Sequence, residues 1–374
     1  MGDWAPGVTR VKDNAAGKDS PVLCNLEGPV FKASTAGCAT MRRKAGPHLF
    51  HRSLPAVAEG SVFCLANNHA MDFGWNRLRE TMQLVEKLGF AHVGAGPLEA
   101  GTSLVITEAR GVRVGVFGRC ESQFGLATKW REGVAALEPM LHQRIFESCR
   151  KVDLLIVSIH MATELSPWPS PKTQTFYRSL IDAGASIVHG HHSHVPQGYE
   201  WYNDGLIFYG LGNWCVPVRW RGKQNCDWSL RVDATAALKR SPDAIHPIKC
   251  TWSGDGSEVT VKRCSADASD DIMEYLDACN RPLGDSRLLA GLWQENAVSL
   301  YDRFYKKWIR GSTAYRATGF DTRSAQALML HHLFACESHA ESIAEATGVL
   351  SGEVEDLRTV ETAKLARRYL PYAR

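Results

Sequence analysis

Short apolar runs of strand length recur along the first part of the chain, each followed by a polar segment. They are Pro21–Leu26 (PVLCNL), Ser61–Ala66 (SVFCLA), Val112–Gly118 (VRVGVFG), Leu154–Ile159 (LLIVSI), Ser186–Val188 and Leu206–Leu211 (LIFYGL). Between them the apolar spacing becomes helical. In Asn76–Leu88 it falls on Leu78, Met82, Val85 and Leu88, and Gly89 supplies the stop. A second such stretch covers Lys172–Ala183 and ends at Gly184. Continuous apolar strands alternating with amphipathic helices predict an α/β fold around a buried sheet.

The texture then changes. From Arg231 to Lys262 two strand-like pieces, Glu258–Lys262 among them, alternate with Ser-Gly-Asp-Gly turns. From about Asp270 the chain reads as helix: Leu288–Ile309 is aromatic-rich, Thr322–Thr347 rich in Ala and Leu, and Gly352–Leu370 strongly charged. The expected organisation is a domain over residues 1–265 that carries the chemistry and a helical extension or lid over 266–374. There is no internal repeat.

Composition narrows the function classes. A formal charge of +3 is too small to make nucleic acid the main partner. No apolar run approaches the roughly eighteen residues of a membrane span. The eleven cysteines are dispersed without a CxxC pair, and no basic segment leads into an apolar one at the start of the chain. Reduced thiols and a cytoplasmic location are therefore expected.

The chemistry-bearing residues fall at the ends of the predicted strands. Glu27 follows the first, and Asn67-Asn68-His69 with Asp72 follow the second. His160 and then Glu164 follow Leu154–Ile159, and Gly212-Asn213-Trp214 follow the last. Four imidazoles crowd into the six residues His189–His194. Ligands bind outside the carboxyl ends of strands in open α/β sheets, so these groups should converge. Each has a plainer explanation: a lone strand-end histidine is commonly structural, and an Asn pair commonly caps a turn or helix. Four imidazoles in one short segment, however, are costly to bury without a use. Imidazole, carboxylate and carboxamide together make a donor set for a divalent metal and exclude an all-thiolate zinc site.

At Gly2–Pro6, Asn25–Gly28, Leu65–Gly74, Ser158–His160, Gly190–Gln197 and Gly210–Trp214 the sequence resembles the CapA family. That family is named for poly-γ-glutamate capsule biosynthesis and lies within the calcineurin-like metallophosphoesterase superfamily. The resemblance covers about residues 1–215 and leaves the C-terminal third unmatched. It implies a four-layer sandwich of two mixed β-sheets flanked by helices, with metal held at one edge. It further implies a ligand set of Asp3, Glu27, Asn68, His160, His191 and His194. His192 stands one residue away, where it could substitute in a His-x-His spacing. His69 occupies the general-acid position, with Asp72 to orient it.

Two departures bear on the chemistry. Trp4 and Ala5 follow Asp3 where an Asp-x-His pair is usual, and Glu27 replaces a bridging aspartate, so one metal is expected rather than a two-metal clamp. The strand that should precede Asp3 is also missing, which leaves open whether the chain starts short of it. With no export signal, the resemblance points to a cytoplasmic relative, the metal-dependent epimerase acting on the C-terminal residue of a lasso-peptide precursor. The resulting expectation is an isomerase that inverts a Cα centre from L to D in a ribosomally made precursor peptide. Its metal would be calcium, and its acid–base pairs His69 with Asp72, and His192 or His194 with Asp3. Trp214, among Trp201, Trp220, Trp228 and Trp252, would line a groove for the peptide. Arg219, beside Arg221 and Lys223, would receive its carboxylate, and Glu164 would contact it. The alternatives are a CapA-type metallohydrolase of a γ-glutamyl amide or a capsule (poly-γ-glutamate) biosynthesis protein, a metallophosphoesterase, with manganese or zinc as the metal, and a non-catalytic, metal-stabilised scaffold. Oligomeric state is not legible.

Overall fold

The computed structural model describes residues 1–5, 10–13, 21–31, 49–50, 54–216, 219–220, 224–225, 228–241, 244–253, 258–264, 266–309 and 322–373. Two sheets form its body. One has five parallel strands in the order Asn213–Cys215, Asp3–Trp4, Leu23–Leu26, Val62–Cys64 and Ala91–Val93. The other is mixed, running Tyr199–Tyr202, Gly205–Phe208, Ile187–His191, Leu154–His160, Val112–Cys120, Val105–Ala109. Its four central strands are parallel and its two edges antiparallel.

Side-chain alternation on the central strands separates two cores. Val114, Val116, Leu154, Ile156 and Ile187 point into the space between the sheets, where they meet Cys24, Leu26 and Phe63. Phe117, Leu155, Val157, Ile159 and Val188 point the other way. There they pack on the helices Leu141–Ser148 and Pro171–Asp182 through Leu141, Ile145, Tyr177 and Leu180. Both faces are buried, which is why these strands read as unbroken apolar runs. On the five-stranded sheet, the helix Trp75–Lys87 buries Leu78 and Val85. Helix, sheet, sheet and helix give the four-layer sandwich.

The predicted elements are present with shifted ends. Gly89 lies at φ 80° just past the first helix, as a left-handed stop requires. The histidine strand does not end at Val188 but continues to His191. Gly190 permits this extension, since a Cβ there would lie 2.1 Å from the Tyr209 carbonyl oxygen on the neighbouring backbone. His189 and His191 are therefore strand residues, in register with Ser158 and His160.

Beyond the sandwich, a four-stranded sheet is built from Trp228–Val232, Ile245–Trp252, Glu258–Arg263 and Arg10–Asp13. It meets the five-stranded sheet where the Cys250 thiol donates to the Trp214 carbonyl. Helices follow at Ala266–Asn280, Ser286–Leu300, Thr322–Ala335, Glu337–Ser351 and Val360–Tyr369. Two helical expectations need correction. The Ala- and Leu-rich stretch is two helices, because Cys336 adopts an extended conformation (φ −75°, ψ 123°) between them. The charged stretch is helical only from Val360, since Gly352 at φ 82° ends the preceding helix and Thr359 caps the next.

These helices pack against the loops that leave the histidine-bearing strands. Leu165, Trp168 and Val195 share a cluster with Tyr275, Leu292, Tyr305 and Tyr369. The Trp168 indole donates to the Ala278 carbonyl at 3.0 Å, and the Tyr275 hydroxyl to that of Pro196 at 2.8 Å.

Gly190→Ala should prevent the His189–His191 backbone from closing on Tyr209. It is expected to destabilise the protein by more than about 3 kcal/mol or to abolish soluble expression. Gly284→Ala, where an added Cβ meets nothing within 4 Å, is the control and should change stability by less than about 0.5 kcal/mol. Urea unfolding of the two variants checks the contrast.

Candidate metal centre

Parallel pairing brings the polar groups together. Asp3 is in register with Asn25 on one side and Asn213 on the other, and all three are buried. Glu27 follows just beyond the end of its strand and is also buried. On the facing sheet His160 is in register with His191. His192, His194 and the segment Asn67–Asp72, which leads into the Trp75–Lys87 helix, close the remaining sides.

Hydrogen bonds orient these donors. Asn25 Nδ2 donates to Asp3 Oδ1 at 2.8 Å, and Asn67 Nδ2 donates to Asn25 Oδ1 at 3.0 Å. His160 Nε2 lies 3.1 Å from Asn68 Oδ1, which can accept only from a protonated nitrogen. That bond puts the His160 proton on Nε2 and leaves the Nδ1 lone pair facing His191 Nδ1, 2.7 Å away. Asn68, expected as a ligand, is in hydrogen-bond contact with another expected ligand, His160. His194 Nδ1 lies 3.0 Å from Asn213 Oδ1 and 3.7 Å from Asp3 Oδ2, while its Nε2 lies 3.6 Å from Glu27 Oε1.

The donors form two adjoining triads, Asp3–His160–His191 and Glu27–His192–His194, each with ligand atoms within 4.8 Å of one another. His192, expected as a proton carrier, is within reach of both roles. His192 (φ 92°) and His194 (φ 58°) hold left-handed backbone that non-glycine residues rarely adopt.

The electrostatics suit a cation. Burial pushes the Asp3 carboxyl up, against the opposing influence of His194 and Asn25. Burial pulls His160 well below the usual histidine range and His191 down to about 3, so both rings offer neutral lone pairs. His194 is the exception. Burial works to lower it, but the carboxylates of Glu27, Asp3 and Glu164 outweigh that and raise it to about 9. Positive charge is thus favoured between Asp3 and Glu27. Imidazole and carboxylate donors of this kind fit a divalent ion, with Asp3, His160 and His191 converging in one triad and Glu27, His192 and His194 in the other.

Other sequence-derived candidates divide. His69 Nδ1 lies 2.7 Å from Asp72 Oδ2, so that pair forms as expected. Glu164 is exposed but near enough to His194 to influence it. Trp214 is wholly buried and packs on Trp4 with ring centroids 4.4 Å apart, inside the core instead of along a groove. Trp228 packs on Tyr275, and Trp252 against the inter-sheet core. Arg221 and Lys223 lie outside the described residues, as do the side chains of Arg219 and Trp220.

Two residues escaped the sequence reading. Gln123 Nε2 lies 3.2 Å from His192 Nε2 and 3.2 Å from Glu121 Oε1. Glu121 Oε2 also accepts from the Ser338 backbone N–H at 2.9 Å. Their strand runs to Cys120, two residues past its predicted end at Gly118, so Glu121 is a strand-end carboxylate like Glu27.

The family of bacterial capsule synthesis proteins (PGA_cap) matches residues 2–217, a stretch that contains the whole donor set. The chain belongs to this family. The capsule biosynthesis protein CapA of Bacillus anthracis is 31% identical over 231 residues, which cover 58% of this chain and 56% of that protein. The PGA biosynthesis protein CapA of Bacillus subtilis is 31% identical over 194 residues, covering 50% and 51%. A probable polyglutamine synthesis accessory protein of Mycobacterium tuberculosis is 32% identical over 167 residues, covering 41% and 44%. The chain spans about half the length of the curated relatives it matches. Among solved structures, a 5'-nucleotidase from Candida albicans is similar over 54% of this chain and 38% of that one, with 15% identity and a TM-score of 0.30. The family match stops short of the helices from Ala266 onward.

Asp3→Asn and His160→Ala should each weaken divalent-metal binding by more than about 10-fold. His69→Ala should leave it nearly unchanged. Metal analysis after dialysis and calorimetric titration separate the two groups, and loss of metal from His69→Ala would contradict the arrangement. Glu121 gives a second expectation. Burial pushes its carboxyl up to about 7, against the Ser338 and Gln123 hydrogen bonds and with Glu337 nearby. The folded state then holds a proton that the unfolded state releases near pH 4.5. Stability should fall as pH rises from there to about 7, by on the order of 3 kcal/mol at most. Glu121→Gln should flatten that window, as read from urea midpoints at pH 5 and 7.5 beside wild type.

Proposed function

We propose that the chain is a metal-dependent acid–base enzyme that acts on a peptide and inverts a Cα centre. The observation carrying this reading is the His69–Asp72 pair beside the donor cluster. Asp72 is sealed from solvent at 1% side-chain exposure, whereas His69 keeps 16%. The carboxylate holds the proton on Nδ1 and leaves Nε2 as the nitrogen able to take one, the arrangement of a general base. Inversion needs a second group to return a proton from the opposite face. His192, held by Gln123 with Glu121 3.8 Å away, is the residue we assign to that step. A divalent ion, calcium on this reading, supplies stabilisation of the enolate-like oxygen when bound. The substrate we assign is the C-terminal region of a ribosomally made precursor peptide of the lasso type.

The relatives' names favour a second reading. They refer to capsule and PGA biosynthesis in the Bacillus proteins, which suggests a γ-glutamyl amide as the group acted on. His69 would then serve as the acid that protonates a leaving amine, and the same donors would suit manganese or zinc.

Incubation of the metal-loaded protein with precursor peptide, and separately with poly-γ-glutamate, in deuterated water distinguishes the readings. Deuterium at one Cα of an uncleaved chain is the expected result, and shortened products would replace epimerisation by hydrolysis. On either reading His69→Ala should lower the rate by about 10²–10⁴ while metal content is retained. Unchanged function in that variant would leave a metal-stabilised scaffold.

A further inference from the structure

A second convergence of metal-binding side chains lies in the helical part of the molecule, outside the family match. It sits at the elbow between the Thr322–Ala335 and Glu337–Ser351 helices. His332 comes from the last turn of the first helix, Cys336 is the extended residue between the two, and His339 lies in the first turn of the second. One donor atom from each falls within 4.8 Å of the others.

Three features point to an ion. His332 Nε2 and His339 Nε2 stand 3.1 Å apart. Two nitrogens bound to one zinc at about 2.0–2.1 Å with tetrahedral geometry would stand roughly 3.3 Å apart, so the observed gap needs little adjustment. The rings are also held from behind. His339 Nδ1 lies 2.8 Å from the hydroxyl of buried Tyr305, and the His332 ring stacks on Phe124 with centroids 4.3 Å apart. A polar partner on the outer nitrogen is the usual companion of a metal-bound imidazole, because it sets the tautomer and aims the lone pair. Finally, Cys336 is buried while both imidazoles keep partial exposure, which provides a closed sulfur position and a route in.

We propose that His332, Cys336 and His339 form a second metal site, of the zinc class, with three protein ligands and a fourth position open to water. Nitrogen and thiolate donors prefer zinc-like ions to calcium or magnesium, whereas the strand-end donors include two carboxylates and no sulfur. The two sites therefore differ in their donors, the elbow alone of the two offering sulfur. The elbow site also has a structural consequence for the other. Glu337 and Ser338, adjacent to Cys336, carry the contacts to Ser122 and Glu121. An ion that fixes the elbow would hold these contacts in place, and through Glu121 the surroundings of His192. This inference rests on the elbow geometry alone and stands whichever reaction the strand-end centre performs.

Cobalt(II) titration of the full, metal-stripped chain tests it, because cobalt bound to a thiolate gives a sulfur-to-metal charge-transfer band that carboxylate and imidazole ligands do not. A saturable band that is removed by zinc is expected. It should vanish in Cys336→Ser, weaken in apparent affinity by more than about 10-fold in His339→Gln, and persist in His160→Ala. Should Cys336→Ser fail to fold, His332→Asn at a half-exposed position provides the same comparison with His339→Gln. Absence of the band in wild type, or its survival in the elbow variants, overturns the proposal.

Discussion

Asp3 opens one strand and Glu27 lies just past the end of the adjacent parallel strand, two carboxylates with essentially no exposure. Ionised groups in such a place need charge compensation, since desolvation alone would hold them neutral. What surrounds them is mostly neutral imidazole. His160 and His191 are kept uncharged by burial, and His194 alone is drawn toward the protonated form by the two acids and Glu164. The site therefore has more negative charge and lone pairs than its own protons balance comfortably. A divalent cation meets both needs at once. Much of the local structure follows from bringing these groups together, including the strand extension at Gly190 and the left-handed backbone at His192 and His194.

Among the polar ties between the helical part and this centre, one runs through Glu121. Glu121 ends a central strand, approaches His192 to 3.8 Å, and accepts from the Ser338 backbone at the start of a helix. A buried carboxyl near the first turn of a helix is held by the exposed N–H groups there. Glu337 makes the reciprocal contact with the Ser122 hydroxyl at 2.8 Å. Two neighbouring residues on each partner thus exchange hydrogen bonds across the junction. Trp168 and Val195 also pack on Tyr275 and Tyr369, beside the Trp168–Ala278 and Tyr275–Pro196 hydrogen bonds. The helices consequently brace the loops after His160 and His191.

How much of this could be read from sequence depends on the range of the interaction. The apolar runs marked every strand that carries the donors beyond Asp3, because those strands are buried on both faces and their signal is local. His69 with Asp72 was legible for the same reason, being three residues apart. Register was not legible. That Asp3 faces Asn25 and Asn213, or that Asn68 contacts His160, depends on which strands are neighbours. Glu121 was missed because the strand signal faded at Gly118, although pairing with the His160 strand continues to Cys120. Trp214 shows the opposite failure. Its aromatic character suggested a binding groove, but residue alternation turns it inward onto Trp4. The break at Cys336 was invisible because Ala and Leu on both sides favour helix equally well.

His192 is where metal binding and proton transfer meet. It belongs by position to the Glu27–His194 triad, yet its Nε2 lies 3.2 Å from Gln123 and points toward Glu121. A nitrogen bound to an ion has no lone pair left to take a proton from substrate, so one ring nitrogen cannot serve both ends. If both triads are filled, His192 is consumed as a ligand and the chemistry passes to His69 alone, which suits hydrolysis with a single acid. If Asp3 and Glu27 share one ion through His194, His192 remains available beside Glu121 and two-sided proton transfer becomes feasible. Ala5, buried two residues after Asp3, offers the cluster no donor. The number of ions bound and the class of reaction are then the same question, decided at one side chain.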